Sequence, residues 1–160
     1  MPSRSGSWRL ALLLLTLVVP SSGLGAQTAY AALGVGPTPV LDGGSGNRNW
    51  FGTAGFQGRG SIGGRVSATE TASRLWLSAD IVYQPGSALR PVRPYALAGV
   101  GMAVDFGDTD PVLTAGAGVR ARLQSLLFLF AEARVQTIPG SPASGPDAIL
   151  PITIGLGLGR

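Results

Sequence analysis

From Thr28 onward the chain alternates apolar residues with polar or very small ones, in short runs broken by clusters of Gly, Pro, Asn, Asp and Ser. A strict period of two belongs to an extended strand, whose successive side chains point to opposite faces, and not to a helix. The clearest internal run is Val112 to Gln124. There Leu113, Ala115, Ala117, Val119, Ala121 and Leu123 face away from Thr114, Gly116, Gly118, Arg120, Arg122 and Gln124. Seven other runs follow the same rule: Thr28 to Gly36, Trp50 to Gly58, Ile62 to Thr69, Arg74 to Gln84, Arg93 to Phe106, Leu127 to Thr137 and Leu150 to Arg160. The third, bordered by glycines, has the least distinct limits.

Eight strands at short, regular spacing with turn signals between them indicate an all-β domain. The connections differ in length. The two longest, PTPVLDGGSGNRN after the first strand and PGSPASGPDA after the seventh, fall at one end of an up-and-down arrangement, and the short turn at Ser125 falls at the other. Long loops at one end and short turns at the other are the habit of membrane barrels, although the turn PGSALRP after the fourth strand is longer than that habit favours. The closing strand is expected to pair with Thr28 to Gly36.

Alternation does not say which face lies inside, because soluble and membrane barrels each have one apolar and one polar face. The glycines bear on this. Strand glycine costs stability, and a water-facing surface gives no reason for Gly99, Gly101, Gly116 and Gly118, all on the polar face. Inside a narrow barrel they make room for long side chains. The expected fold is therefore an eight-stranded antiparallel up-and-down transmembrane β-barrel, with Leu150, Ile152, Ile154, Leu156 and Leu158 of the closing strand facing lipid. The lumen face carries Asp80, Arg120, Arg122, Glu132 and Arg134, expected to form a packed structural ion-pair network, since buried charges need partners. Gly155 and Gly157 are expected opposite the arginines. Trp50 and Phe106 at one end and Tyr83 at the other suit interfacial aromatic girdles. The alternative is a secreted soluble β-barrel that binds a small hydrophobic ligand.

Composition sharpens the location. Residues 1–26 have basic Arg4 and Arg9, an apolar run from Leu10 to Val19, Pro20 and the small tract SSGLGA, the outline of a secretory signal peptide cut after Ala26, with cleavage after Gly25 the alternative. The run is about half the ~20 residues of a spanning helix. The barrel domain is then 27–160. The chain has no cysteine and no histidine, which removes disulfides, thiolate metal sites and the commonest general base. The net charge of +4 falls by two with the loss of Arg4 and Arg9, too little to suggest nucleic acid. All twelve basic residues are arginine, whose fork suits packed ion-pair networks.

Candidate chemistry is sparse. GVG, GAG and GLGLG open no helix and no GK[ST] follows, so they read as strand glycines rather than a nucleotide loop. Asp105, Asp108 and Asp110 cluster in DFGDTD but lack the spacing and bidentate glutamate of a calcium loop, and read as a solvated acidic turn. An enzyme acting on envelope lipid or peptide would need a nucleophile and base. Without histidine, a non-catalytic protein with no cofactor is expected.

The runs RPYALAGVGMAV, LTAGAGVRARL, LFLFAEARV and LPITIGLGLG resemble the second half of small bacterial outer-membrane β-barrel proteins of the porin-like and OmpA-like or OmpX-like type. The resemblance implies a monomeric barrel, exported to the outer membrane of a bacterium, surrounded by its lipid and inserted by the outer-membrane assembly machinery. Such proteins usually end in an aromatic residue that forms part of the assembly signal. Here Leu158 holds the terminal apolar position.

Overall fold

The computed structural model describes residues 28–41, 46–58, 60–71, 74–86, 91–105, 108–140 and 148–159. They form β1 (Thr28–Thr38), β2 (Asn47–Gln57), β3 (Ile62–Glu70), β4 (Leu75–Tyr83), β5 (Val92–Val104), β6 (Thr109–Arg122), β7 (Leu127–Thr137), β8 (Ala148–Ile149) and β9 (Ile152–Gly159). β1 to β7 pair in chain order, each antiparallel to the next, and β9 lies between β7 and β1. The result is a closed, eight-staved, up-and-down barrel in which β8 and β9 are one stave. Residues 1–26, Arg59, Phe106 and Arg160 lie outside the described residues.

The break in the eighth stave has a covalent cause. Gln136 pairs with Ile149 and Ala133 with Ile152, so the register against β7 runs unbroken through Leu150 and Pro151. The register against β1 is also continuous, from Val35 opposite Ile154 to Val40 opposite Ile149. Pro151 on one side of this seam and Pro37 and Pro39 on the other have no N–H to give the ladder. The remaining groups still bond: Leu150 N donates to the Pro39 carbonyl at 2.9 Å and Arg134 N to the Pro151 carbonyl at 3.1 Å.

Strand limits otherwise move by a few residues. β7 spans the residues its alternation indicates. β6 starts earlier, at Thr109, because its pairing with Val104 draws the polar residues of the acidic turn into the ladder. The connection after Tyr83 turns at Gly86, whose φ of 104° is open chiefly to glycine.

The alternation sorts side chains as barrel closure demands. Outward residues are exposed on every stave, among them Leu33 (60%), Ile62 (63%), Ile81 (66%), Val100 (62%) and Ile154 (58%). Inward residues are buried and arranged in three levels. At the end reached by the β1–β2 and β7–β8 connections, Trp76, Ala103, Val112, Ile138 and Ile149 form an apolar plug, with Val40 packed against it. The middle holds charge. Toward Thr28 and Gly159 lie Tyr30, Val82 and Phe128.

Candidate functional site

The middle of the lumen is a closed polar cluster built from four strands. Arg65 on β3 donates from Nε to Asp80 Oδ2 on β4 at 3.0 Å, and reaches Glu132 on β7 through Nη1 at 2.5 Å and Nη2 at 3.0 Å. Since β3 and β7 stand four staves apart in a ring of eight, this pair spans the barrel. Arg134, two residues beyond Glu132 on the same face, donates to Glu132 Oε1 from Nε at 2.8 Å and also from Nη2. Tyr95 on β5 donates its hydroxyl to Glu132 Oε2 at 2.7 Å. Ser67 donates to Asp80 Oδ2 at 2.9 Å and lies 3.0 Å from the Ser78 hydroxyl. Two arginines thus balance two carboxylates, and the guanidinium of Arg134 rests 4.4 Å from the Phe51 ring centre.

Space for these side chains comes from glycines directly across the ladder. Arg65 faces Gly55, Asp80 faces Gly99, Arg134 faces Gly116 and Glu132 faces Gly118. A methyl group on Gly99 would come within 2.5 Å of Asp80 Oδ1, one on Gly116 within 2.7 Å of Arg134 Cβ, and one on Gly118 within 2.6 Å of the Tyr95 ring. The aromatic residues follow the same rule: Phe130 faces Gly155 and Phe128 faces Gly157. Gly155 and Gly157 therefore accommodate rings, not the arginines expected opposite them, because the register sets β9 against the aromatic half of β7.

Of the five charged residues singled out from the sequence, the middle level brings together Asp80, Glu132 and Arg134. Arg120 and Arg122 lie elsewhere. Arg120 pairs with Phe130, two residues before Glu132, which puts it nearer the termini. Its guanidinium lies 4.1 Å from the Tyr30 ring centre, 4.8 Å from Phe128 and 5.3 Å from Tyr95. Arg122 is exposed at the mouth of that end. Arg65, the residue that joins the two carboxylates, was legible only as a lumen-face position beside Ser67 and Thr69.

At the opposite end Arg74 lies between Asp105, at 3.6 Å, and Asp110, at 3.3 Å. Two carboxylates of the acidic turn are thus engaged by an arginine. Among the described residues no group of three or more potential metal ligands comes together.

On the closing strand Ile152, Ile154, Leu156 and Leu158 are exposed, and Leu150 is half-buried beside the β1–β2 connection. Trp50 and Tyr83 project outward and are exposed.

The fold is shared with small outer-membrane barrels of known structure. Neisserial surface protein A matches with a TM-score of 0.64 at 17% identity, over 82% of this chain and 94% of that one. The N-terminal β-barrel domain of Pseudomonas aeruginosa OprF matches with a TM-score of 0.65 at 15% identity, over 84% and 99%. Ail, the attachment invasion locus protein of Yersinia pestis, in complex with the heparin analogue sucrose octasulfate, matches with a TM-score of 0.58 at 16% identity, over 83% and 98%. At these identities the likeness is one of fold, and at that level it agrees with the resemblance read from the strand pattern. No protein-family model matches the sequence and no curated protein matches it.

Proposed function

We propose that the protein is a non-catalytic integral barrel of a bacterial outer membrane, with a side-chain-filled lumen and a structural or surface-interaction role. The observation that carries this reading is the girdle of exposed Leu, Ile, Val, Phe and Met side chains on the outward face of every stave. Soluble monomers rarely expose contiguous apolar patches beyond a few hundred Å², whereas a lipid-facing band is apolar all round. The interior supports the same reading from the other side. It is filled by the ion-pair cluster and the apolar plug, which suits a wall rather than a channel.

A soluble barrel that carries a hydrophobic ligand would invert this arrangement, with an apolar cavity inside and polar residues outside. The cavity at the terminal mouth measures about 40 Å³ and is lined by Arg93, Arg120, Arg122 and three glutamines beside Tyr30, Leu126, Leu127 and Phe128, too small and too charged for such a ligand. A non-catalytic role rests on the absence of histidine and cysteine from the chain and on the use of the buried carboxylates as partners of arginine.

Cell fractionation with electrophoresis of heated and unheated samples tests the proposal. The expected result is recovery with outer membranes and a faster-migrating band without heating. Recovery as a periplasmic solute with one heat-independent band overturns it.

A further inference from the structure

The mouth beside Thr28 and Gly159 concentrates positive charge that no described carboxylate neutralises. Arg93 on β5 and Arg120 on β6 are direct cross-strand partners on the lumen face, and Arg122 follows two residues on with the same phase. Like charges directly opposite destabilise a strand pair. No carboxylate lines the cavity they share, and none of the three arginines is ion-paired to a described residue. The segments that return to this end, QGRGS after Phe56, QPGSALRP after Tyr83 and LQSL after Arg122, contain no Asp or Glu.

Two further features make this a built site rather than a chance cluster. The Arg120 guanidinium is fixed by the rings of Tyr30, Phe128 and Tyr95, yet its Nε–H is buried without a hydrogen-bond partner. Gln84 lines the same cavity, is only 5% exposed, and its amide nitrogen also lacks a partner. Buried donors left unsatisfied are costly. An oxyanion in the cavity offsets the repulsion among the arginines that line it, and guanidinium and amide N–H groups turned toward it gain an acceptor. The cavity of about 40 Å³ exceeds the ~10 to 15 Å³ needed for one water centre, so ligand oxygens have room to enter.

We propose that this mouth is a phosphate-class oxyanion site in which Arg93, Arg120 and Arg122 supply charge and Gln84 a neutral donor. The phosphate is either dissolved or carried by a lipid headgroup at the membrane surface. The lipid-borne source rests on the membrane reading above, and the dissolved source does not.

The test uses the isotope-labelled barrel in nonionic detergent micelles, with amide spectra recorded in two arms. One adds inorganic phosphate at constant ionic strength against chloride; the other adds phosphatidylglycerol to phosphate-free micelles. Saturable shifts centred on Gln84, Arg93, Arg120 and Arg122 are expected in at least one arm. The first arm alone identifies dissolved phosphate, and the second alone the headgroup. Arg122→Gln, at an exposed position, is expected to weaken saturation several-fold and Arg93→Gln with Arg122→Gln at least tenfold, with the remaining spectrum unchanged. The proposal is overturned if phosphate matches chloride and phosphatidylglycerol produces no saturable shift, or if a folded double variant binds as the parent does.

Discussion

Arg65 and Glu132 meet from opposite walls of the barrel, joined by two hydrogen bonds across the lumen at 2.5 and 3.0 Å. With Asp80 and Arg134 they form a neutral buried quartet, and that neutrality is what makes charge tolerable there. Removing one partner of a buried pair leaves an uncompensated charge and costs about 3 to 5 kcal/mol. Glu132→Gln is expected to destabilise the barrel by about that amount, read from urea unfolding in micelles or vesicles. Adding Arg65→Gln is expected to cost less than the sum of the two single changes, because the residues share one interaction. Additive costs would show that the two side chains do not interact.

The glycines opposite the quartet set its size. Gly99→Ala drives a methyl group toward Asp80 and Gly118→Ala drives one into the Tyr95 ring. Overpacking of this kind costs about 1 to 3 kcal/mol. Ala117→Val, on the exposed face of β6, is the control and is expected to change stability by less than about 0.5 kcal/mol. Equal urea midpoints for all three variants would contradict the assignment of faces.

The filled lumen predicts an electrical property. Purified protein in planar bilayers is expected to show no steady conductance, since the plug around Trp76 and the quartet below it occupy successive levels. Trp76→Ala removes the largest plug residue but leaves the charged level in place, so it is also expected to remain non-conducting. Stable open steps from the parent protein would refute a closed wall.

Much of this architecture is legible in the sequence because β-structure writes its faces at period two. The order of strands, the closure of the last on the first, and the inward phase of Asp80, Arg120, Glu132 and Arg134 all follow from alternation and turn spacing. Phase, however, carries no information about height along the barrel. Arg120 and Glu132 share a face on adjacent strands, yet their register separates them by one inward step, enough to move Arg120 out of the quartet and among aromatic rings. The role of Arg65 is not legible in the sequence for a related reason. Its main partner lies four staves away, where no local signal reaches, and the glycines beside it obscure the limits of β3. The split of the eighth stave follows from Pro151, which has no N–H, with Pro37 and Pro39 on the neighbouring strand, while the register on both sides continues.

The orientation of the outer face is open to a graded test on the closing strand. Ile154→Arg is expected to penalise insertion by about 2 to 4 kcal/mol if the residue lies near the bilayer midplane, measured by refolding into vesicles. Ile154→Leu is expected to be close to neutral. Equal tolerance of both changes would place Ile154 in water.

The exposed apolar girdle is expected to face lipid on every side of the barrel. As the chain has no cysteine, nitroxide labels can be placed singly through Ile81→Cys on β4 and Leu156→Cys on β9, and their collisions with oxygen and with a water-soluble nickel chelate compared in vesicles. Both labels, on opposite sides of the barrel, are expected to favour oxygen. Preferential collision of both with the nickel chelate would contradict this.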